Sequence, residues 1–200
     1  MLVMDIEEAR AEDGLLQDRH YENETVSRFD LSGIECKRVE FVKCRFQQCN
    51  FSKAGFYETA FISCDFANGS FERSYWKTSR ILGCKGDGAV LKGALLRESH
   101  FSSSSLRYAN CSGTVWEGCS IEDCVFQESL FSETKLKRLK LNKVNFSSAD
   151  FFKTPLKGID LSDCMIDGIL VSDTYHELKG VMVNALQAAE LIKILGVKVV

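Results

Sequence analysis

Along this chain the large apolar side chains return at every fifth residue. In the stretch VEFVKCRFQQCNFSKAGF, residues 39–56, Phe41, Phe46, Phe51 and Phe56 keep that interval. A helix returns to one face every third or fourth residue and a strand every second, so neither element places these four rings together. Followed in both directions, the frame runs from Leu31 to Val171. Of its 29 positions only Gly86 is not apolar, and 12 of the 14 phenylalanines fall on it, so the repeat is a property of the chain.

A second frame lies two residues ahead of the first and is made of small side chains: Cys44, Cys49, Ala54, Thr59, Cys64, Gly69, Ser74, Ser79 and Cys84 are successive members. Each five-residue unit therefore offers one large and one small inward side chain and three polar outward ones. A backbone that turns a corner in every unit closes a square after four units, or 20 residues. Successive turns then pair as parallel strands at roughly 4.8 Å. The columns this creates are visible in the sequence: Cys44, Cys64, Cys84, Cys124 and Cys164 share one, and Trp76 and Trp116 another. The pattern predicts an all-β solenoid, a quadrilateral parallel β-helix of about seven coils over residues 26–172. Such a rod is roughly 35 Å long and buries its core by stacking. Gly86, within GCKGDGA at 83–89, predicts a gap in the core and a local irregularity.

Both ends depart from the period. Residues 1–25 are expected to form an acidic N-terminal segment or cap, with Leu15, Leu16 and Tyr21 docking on the first coil. Residues 173–200 read as a dimerisation helix and short tail. Asn184 suits an N-cap, Ala185 to Leu195 contains no breaker, and Gly196 suits the position after the last turn, before a β-prone tail Val197–Val200. This short C-terminal α-helix is apolar around most of its circumference. One flank covers the last coil, and Leu186, Ala189, Ile192 and Leu195 are expected to meet a second copy in a two-fold contact, the alternative being a helix simply folded over the rod.

Charge adds a second layer. The formal net charge is −3, but residues 1–25 carry eight acids against Arg10 and Arg19, leaving 20 acids and 23 bases in the rest. The position after each large residue, read down one column, gives Lys37, Tyr57, Lys77, Arg97, Glu117, Lys137 and Lys157. Lys77, Arg97, Lys137 and Lys157 thus form a candidate basic stripe, and LKRLKLNK at 136–143 is a concentrated basic patch. Candidates for an acidic partner surface lie near the C-terminal end: Glu122, Asp123, Glu128, Asp150, Asp160, Asp163, Asp167 and Asp173.

Catalytic chemistry finds little support. All nine cysteines occupy inward frames, where Cys behaves as a small hydrophobe. The three histidines are isolated, Ser102–Ser105 lacks a G-x-S-x-G context, and the glycines at 83–88 lack the Lys-Ser/Thr of a phosphate cradle. The expectation is a non-enzymatic protein with no cofactor and no metal. Apolar runs are too short to span a bilayer, and the N-terminus has neither a basic nor an apolar leader region, so a cytoplasmic protein is expected.

The units FSKAGF, FSSADF and KGIDL resemble the pentapeptide-repeat family, whose consensus is A(D/N)LXX. The resemblance covers residues 26–172 and implies a right-handed quadrilateral β-helix. The tail, of the form G-V-x-V-N…Q-A…L…L-G-V, is similar to that of the Qnr/MfpA-type quinolone-resistance proteins, the match lying on Gly180, Val183, Gln187, Ala188, Leu195 and Gly196. That likeness implies a homodimeric rod that mimics DNA, binds DNA gyrase or topoisomerase IV, and lowers fluoroquinolone sensitivity. Two other readings stand beside it: a protein-interaction scaffold with an unidentified partner, and, against expectation, a direct nucleic-acid binder using the basic stripe.

Overall fold

Each five-residue unit folds into one side of a square. In the computed structural model, which describes residues 1–198, every strand pairs in parallel with residues 20 positions away, as in Glu35↔Gly55, Gly55↔Tyr75 and Tyr75↔Leu95. The result is a right-handed quadrilateral parallel β-helix. Four columns of large side chains define its faces. The first face carries Leu16, Cys36, Phe56 and Trp76; the second Tyr21, Phe41, Phe61 and Ile81; the third Val26, Phe46 and Phe66; the fourth Leu31, Phe51 and Phe71. Three-residue strands such as Gly55–Tyr57 and Ala60–Ile62 form the first two faces. Beyond the opening coils, single bridges such as Asn50↔Ser70 and Asp65↔Lys85 join the other two.

The corners explain the period. Two residues after each large side chain the backbone takes a left-handed conformation, at Lys43 (φ 50°), Ser63 (φ 53°) and Gly83 (φ 62°) in one column. This bends the chain at a cost of about 1–2 kcal/mol for each non-glycine residue. Stacking offsets that cost. Ring centroids are 4.9 Å apart for Phe41–Phe61 and 4.8 Å for Phe51–Phe71, and all four rings are buried.

The solenoid begins earlier than the sequence suggested. Strand Leu15–Glu22 pairs with Glu35–Val42, placing Leu16 beside Cys36 and Tyr21 beside Phe41. The first coil thus starts near residue 15 rather than 26. Helix α1, Leu2–Ala11, closes this end with Leu2, Ile6 and Ala9, spaced for one helical face, all buried. The Tyr21 hydroxyl donates to the Asp5 carboxylate at 2.8 Å, tying the helix to the first coil.

The irregularity expected at Gly86 is absent. The Gly86 amide donates to the Ser105 carbonyl at 2.7 Å, and the ladder runs through it. The Phe66 ring fills the missing side chain's place, lying where a Cβ at Gly86 would stand. A neighbour in the same column closes the gap.

One pair of coils is not laddered on every side. The third and fourth faces continue through Asn145↔Met165 and Asp150↔Leu170. On the first and second faces, strands Lys135–Lys137 and Lys140–Asn142 have no partner above them. Among the described residues no backbone hydrogen bond joins 135–143 to 155–163. Coil 155–163 instead bonds onward to the C-terminal segment, with the Gly158 amide donating to the Gly180 carbonyl and the Leu161 amide to Met182.

Candidate interaction surfaces

Interior positions carry the fold and expose little chemistry. The polar members of the small frame prove to be hydrogen-bond donors. The Thr59 hydroxyl donates to the Cys36 carbonyl at 2.9 Å, and the Ser79 hydroxyl to Phe56 at 3.1 Å. The Cys64 thiol donates to Phe41 at 3.2 Å. Ser74 and Thr114 have a further task, accepting the indole N–H of Trp76 at 2.8 Å and of Trp116 at 2.9 Å. All nine cysteines are free and buried. Burial pushes the thiols of Cys36 up to about 12 and of Cys124 and Cys164 up to about 11, which keeps them protonated near neutrality. Among the described residues no group of three or more His, Cys, Asp or Glu could hold a metal ion. Among the described residues no helix is long and apolar enough to cross a membrane.

At the C-terminal end, helix α2 spans Ala185–Ile194. Asn184 and Gln187 form a reciprocal capping box, each side chain taking the other's backbone amide at 3.0 and 2.8 Å. Gln187 does more than the sequence indicated. Its amide nitrogen donates to the carbonyls of Leu161 and Cys164 at 2.7 and 2.6 Å, so a buried side chain satisfies the open end of the last coil. Leu191 and Ile194 pack toward the core while Ala189 is half-buried. Leu186, Ile192 and Leu195 remain 82, 41 and 53% exposed. Of the tail, Val197 is exposed, while Val199 and Val200 lie outside the described residues.

The acidic candidates do not form one patch. Asp150 and Asp173 project from the fourth face, Asp167 from the third, and Asp160 and Asp163 from the second. The 20-residue register brings the first three together with Glu128, itself a candidate, and with Glu133, which was not one. In the segments 125–133, 145–153 and 165–173 five acids face a single base, Lys153, itself 3.6 Å from Glu133. Exposed Leu130, Phe152 and Leu170 lie between them. Asp150 and Asp160 also have structural work: they accept the amides of Phe152 and Ser162 at 2.7 and 2.9 Å, which fixes the turn of their unit.

The basic candidates share the first face, with Lys77↔Arg97 as register partners. The stripe is not continuous. Glu117 lies between Arg97 and Lys137 and pairs with Arg97 at 3.3 Å and Arg138 at 3.1 Å. Lys77, Lys137 and Lys157 make no ion pair among the described residues.

A right-handed, four-faced parallel solenoid built from five-residue units, with a helix at each end, defines the class of protein. The chain belongs to the pentapeptide-repeat family: one family model, a pentapeptide repeat region, matches residues 54–129, and a second, of eight pentapeptide repeats, matches 30–74 and 129–165. Among solved structures it is similar to a trypsin-treated variant of QnrB1, a plasmid-mediated fluoroquinolone resistance protein. The two share 23% identity over 93% of this chain and 98% of that one, with a TM-score of 0.50. Full-length QnrB1 gives 22% identity, 92 and 100% coverage and a TM-score of 0.46. HetL, a pentapeptide repeat protein involved in heterocyst differentiation regulation from the cyanobacterium Nostoc, gives 15%, 88 and 94%, and 0.31. No curated protein matches the sequence.

Proposed function

We propose that this protein is a non-enzymatic, dimeric interaction rod that binds a type II topoisomerase, DNA gyrase or topoisomerase IV, in place of duplex DNA and so lowers fluoroquinolone sensitivity. The observation that carries the reading is the acidic side near the C-terminal end, where Glu128, Glu133, Asp150, Asp167 and Asp173 gather on two adjoining faces. A row of carboxylates on a straight rod competes for a basic DNA-binding groove through the same long-range field as phosphate. Two-fold pairing through Leu186, Ile192 and Leu195 doubles the rod and repeats that acidic side on the second copy. The tail's resemblance to the Qnr/MfpA type and the end-to-end likeness of fold to QnrB1 support the same partner.

The test is gyrase supercoiling in the presence of a fluoroquinolone, with and without the purified protein. Protection that fades with added salt is expected. Asp167→Lys with Asp173→Lys should weaken it, while Asp163→Lys, on another face, should not. Loss of the effect in both variants, or no effect of the native protein, contradicts the assignment. Leu186→Glu should give a monomer by sedimentation equilibrium, and an unchanged mass would rule out the helix contact.

A scaffold with another protein partner is the second reading, favoured by one feature. Leu130, Phe152 and Leu170 stand exposed among the acids, and such anchors suit a partner recognised through apolar contact as well as charge.

A further inference from the structure

The interruption between coils 135–143 and 155–163 has a chemical cause and a chemical character. In the coils below it, a backbone amide donates down to the preceding coil: Tyr75 to Ala54, Leu95 to Ser74, Val115 to Ala94, Lys135 to Thr114. The next residue in this series is Pro155, the chain's one proline, which has no N–H to give the Thr134 carbonyl. The following corner fails as well. Val39, Thr59, Ser79, Ser99 and Cys119 occupy that column, followed by Leu139 and Ile159, the first two successive non-donors in it. Neither can donate to a carbonyl, and both are larger than the residues they succeed.

The seam is apolar within and cationic at its mouth. Leu136, Leu139 and Leu141 are only partly buried, unlike their column neighbours Trp116, Cys119 and Ile121. With Leu156, Ile159 and Leu161, and with Trp116 behind them, they line a void of ≈ 10 Å³. Lys135, Lys137, Arg138, Lys140 and Lys143 project from the lower lip, and Lys157 from the upper together with the acids Asp160 and Asp163, so that six bases outnumber two acids. Only Arg138 among them has an ion-pair partner among the described residues. A void this small admits a ligand only if the coils part, and no backbone hydrogen bond on these two faces resists that. The third and fourth faces stay laddered across the same coils, through Asn145↔Met165 and Asp150↔Leu170.

We infer that this seam binds an amphipathic anion of the long-chain carboxylate class, with the alkyl chain between Leu139 and Ile159 and the carboxylate on the surrounding lysines. The inference is independent of any topoisomerase partner, because it uses the two faces that do not carry the Glu128–Asp173 cluster. An uncharged chain would leave the lysines unused, and a small anion without a chain would not open the coils.

The probe is monomeric dodecanoate, titrated below its micelle-forming concentration. It is followed by calorimetry on the native chain and by Trp116 emission in a Trp76→Phe background. Saturable heat and a shift in Trp116 emission are expected. Lys137→Glu with Lys140→Glu should weaken binding about tenfold. Leu139→Thr with Ile159→Thr should abolish it by restoring donors at the corner; should that variant not fold, Pro155→Ala serves, by restoring the amide to the Thr134 carbonyl. Absence of saturable binding overturns the proposal, as does equal binding of dodecyltrimethylammonium or full retention in the closed-corner variants. Binding to anionic phospholipid vesicles without binding of free dodecanoate also overturns it, and assigns the lysines to a membrane surface instead.

Discussion

Two pairs of coils, 55–63 with 75–83 and 135–143 with 155–163, obey the same five-residue rule and close differently. In the first pair the Tyr75 amide donates to Ala54 and the Arg80 amide to Thr59, both at 2.9 Å, and the Glu58 and Ser63 amides donate upward to Lys77 and Leu82. At the corner the Thr59 amide donates to the Ser79 hydroxyl at 3.1 Å, while that hydroxyl donates to Phe56. In the second pair Pro155 has no amide for Thr134 and Leu139 and Ile159 carry no hydroxyl, and among the described residues the other bonds of this set are not formed either. Apolar repetition therefore places the coils, and the backbone ladder between them opens where Pro155 and the bulky Leu139–Ile159 corner interrupt it.

The sharpest way to break the comparison is a core truncation in each region. Phe61→Ala removes a ring stacked on Phe41 and is expected to cost about 3–5 kcal/mol in urea denaturation. Leu141→Ala, in the same column but beside the seam and partly exposed, should cost less than about 2 kcal/mol, below the range for a sealed core site. Equal losses would mean that both coils are packed alike.

Alkaline pH acts next. The ordinary thiol value is 9.0, and burial raises Cys36 to about 12 and Cys164 to about 11. The unfolded chain therefore loses these protons first. The stabilisation they give is complete below pH 9 and declines as pH rises from 9 toward 11–12, by about 1.4 kcal/mol per unit for each thiol held back. Thermal melting followed from pH 8 to 11 should show a fall that begins near 9; a melting temperature that rises there would contradict the burial. Cys164 is 7% exposed against 1% for Cys36, so iodoacetamide at pH 9.5 should modify Cys164 first.

The smallest effects come from the corners themselves. Ser79→Ala should lower stability by about 1 kcal/mol, since the Phe56 carbonyl and the Thr59 amide each lose a partner. Ile159→Thr, which returns a donor to the open corner, should be neutral or stabilising. If both changes destabilise equally, corner donors do not distinguish the regions.

Much of this could be read from the residues. The large frame gave the columns and faces because a period of five has few structural solutions. The start of the solenoid was missed because only its large frame persists there, as Leu16, Tyr21 and Val26, while Arg19 and Glu24 occupy the small frame. Helix α1 accommodates both, bringing Asp5 to 3.9 Å from Arg19 and the Met1 amine to 3.7 Å from Glu24. Gly86 misled because a missing side chain was judged within its own unit, whereas Phe66 fills it from the coil below. The seam was hidden because Leu139 and Ile159 fit the frame as apolar residues; what matters there is hydrogen-bond donation, which a size pattern does not register. The surface candidates needed the register itself, which brings Glu128 beside the Asp150 side and carries Asp160 and Asp163 around a corner.

Amide hydrogen exchange tests the central claim most directly. Gly118 and Asp123 donate to the Lys137 and Asn142 carbonyls at 2.9 and 3.0 Å; Arg138 and Lys143, one coil on in the same columns, have no such acceptor. Slow exchange at Gly118 and Asp123 with fast exchange at Arg138 and Lys143 is the predicted result. Equal protection at all four would show that the ladder runs unbroken and that the seam does not exist.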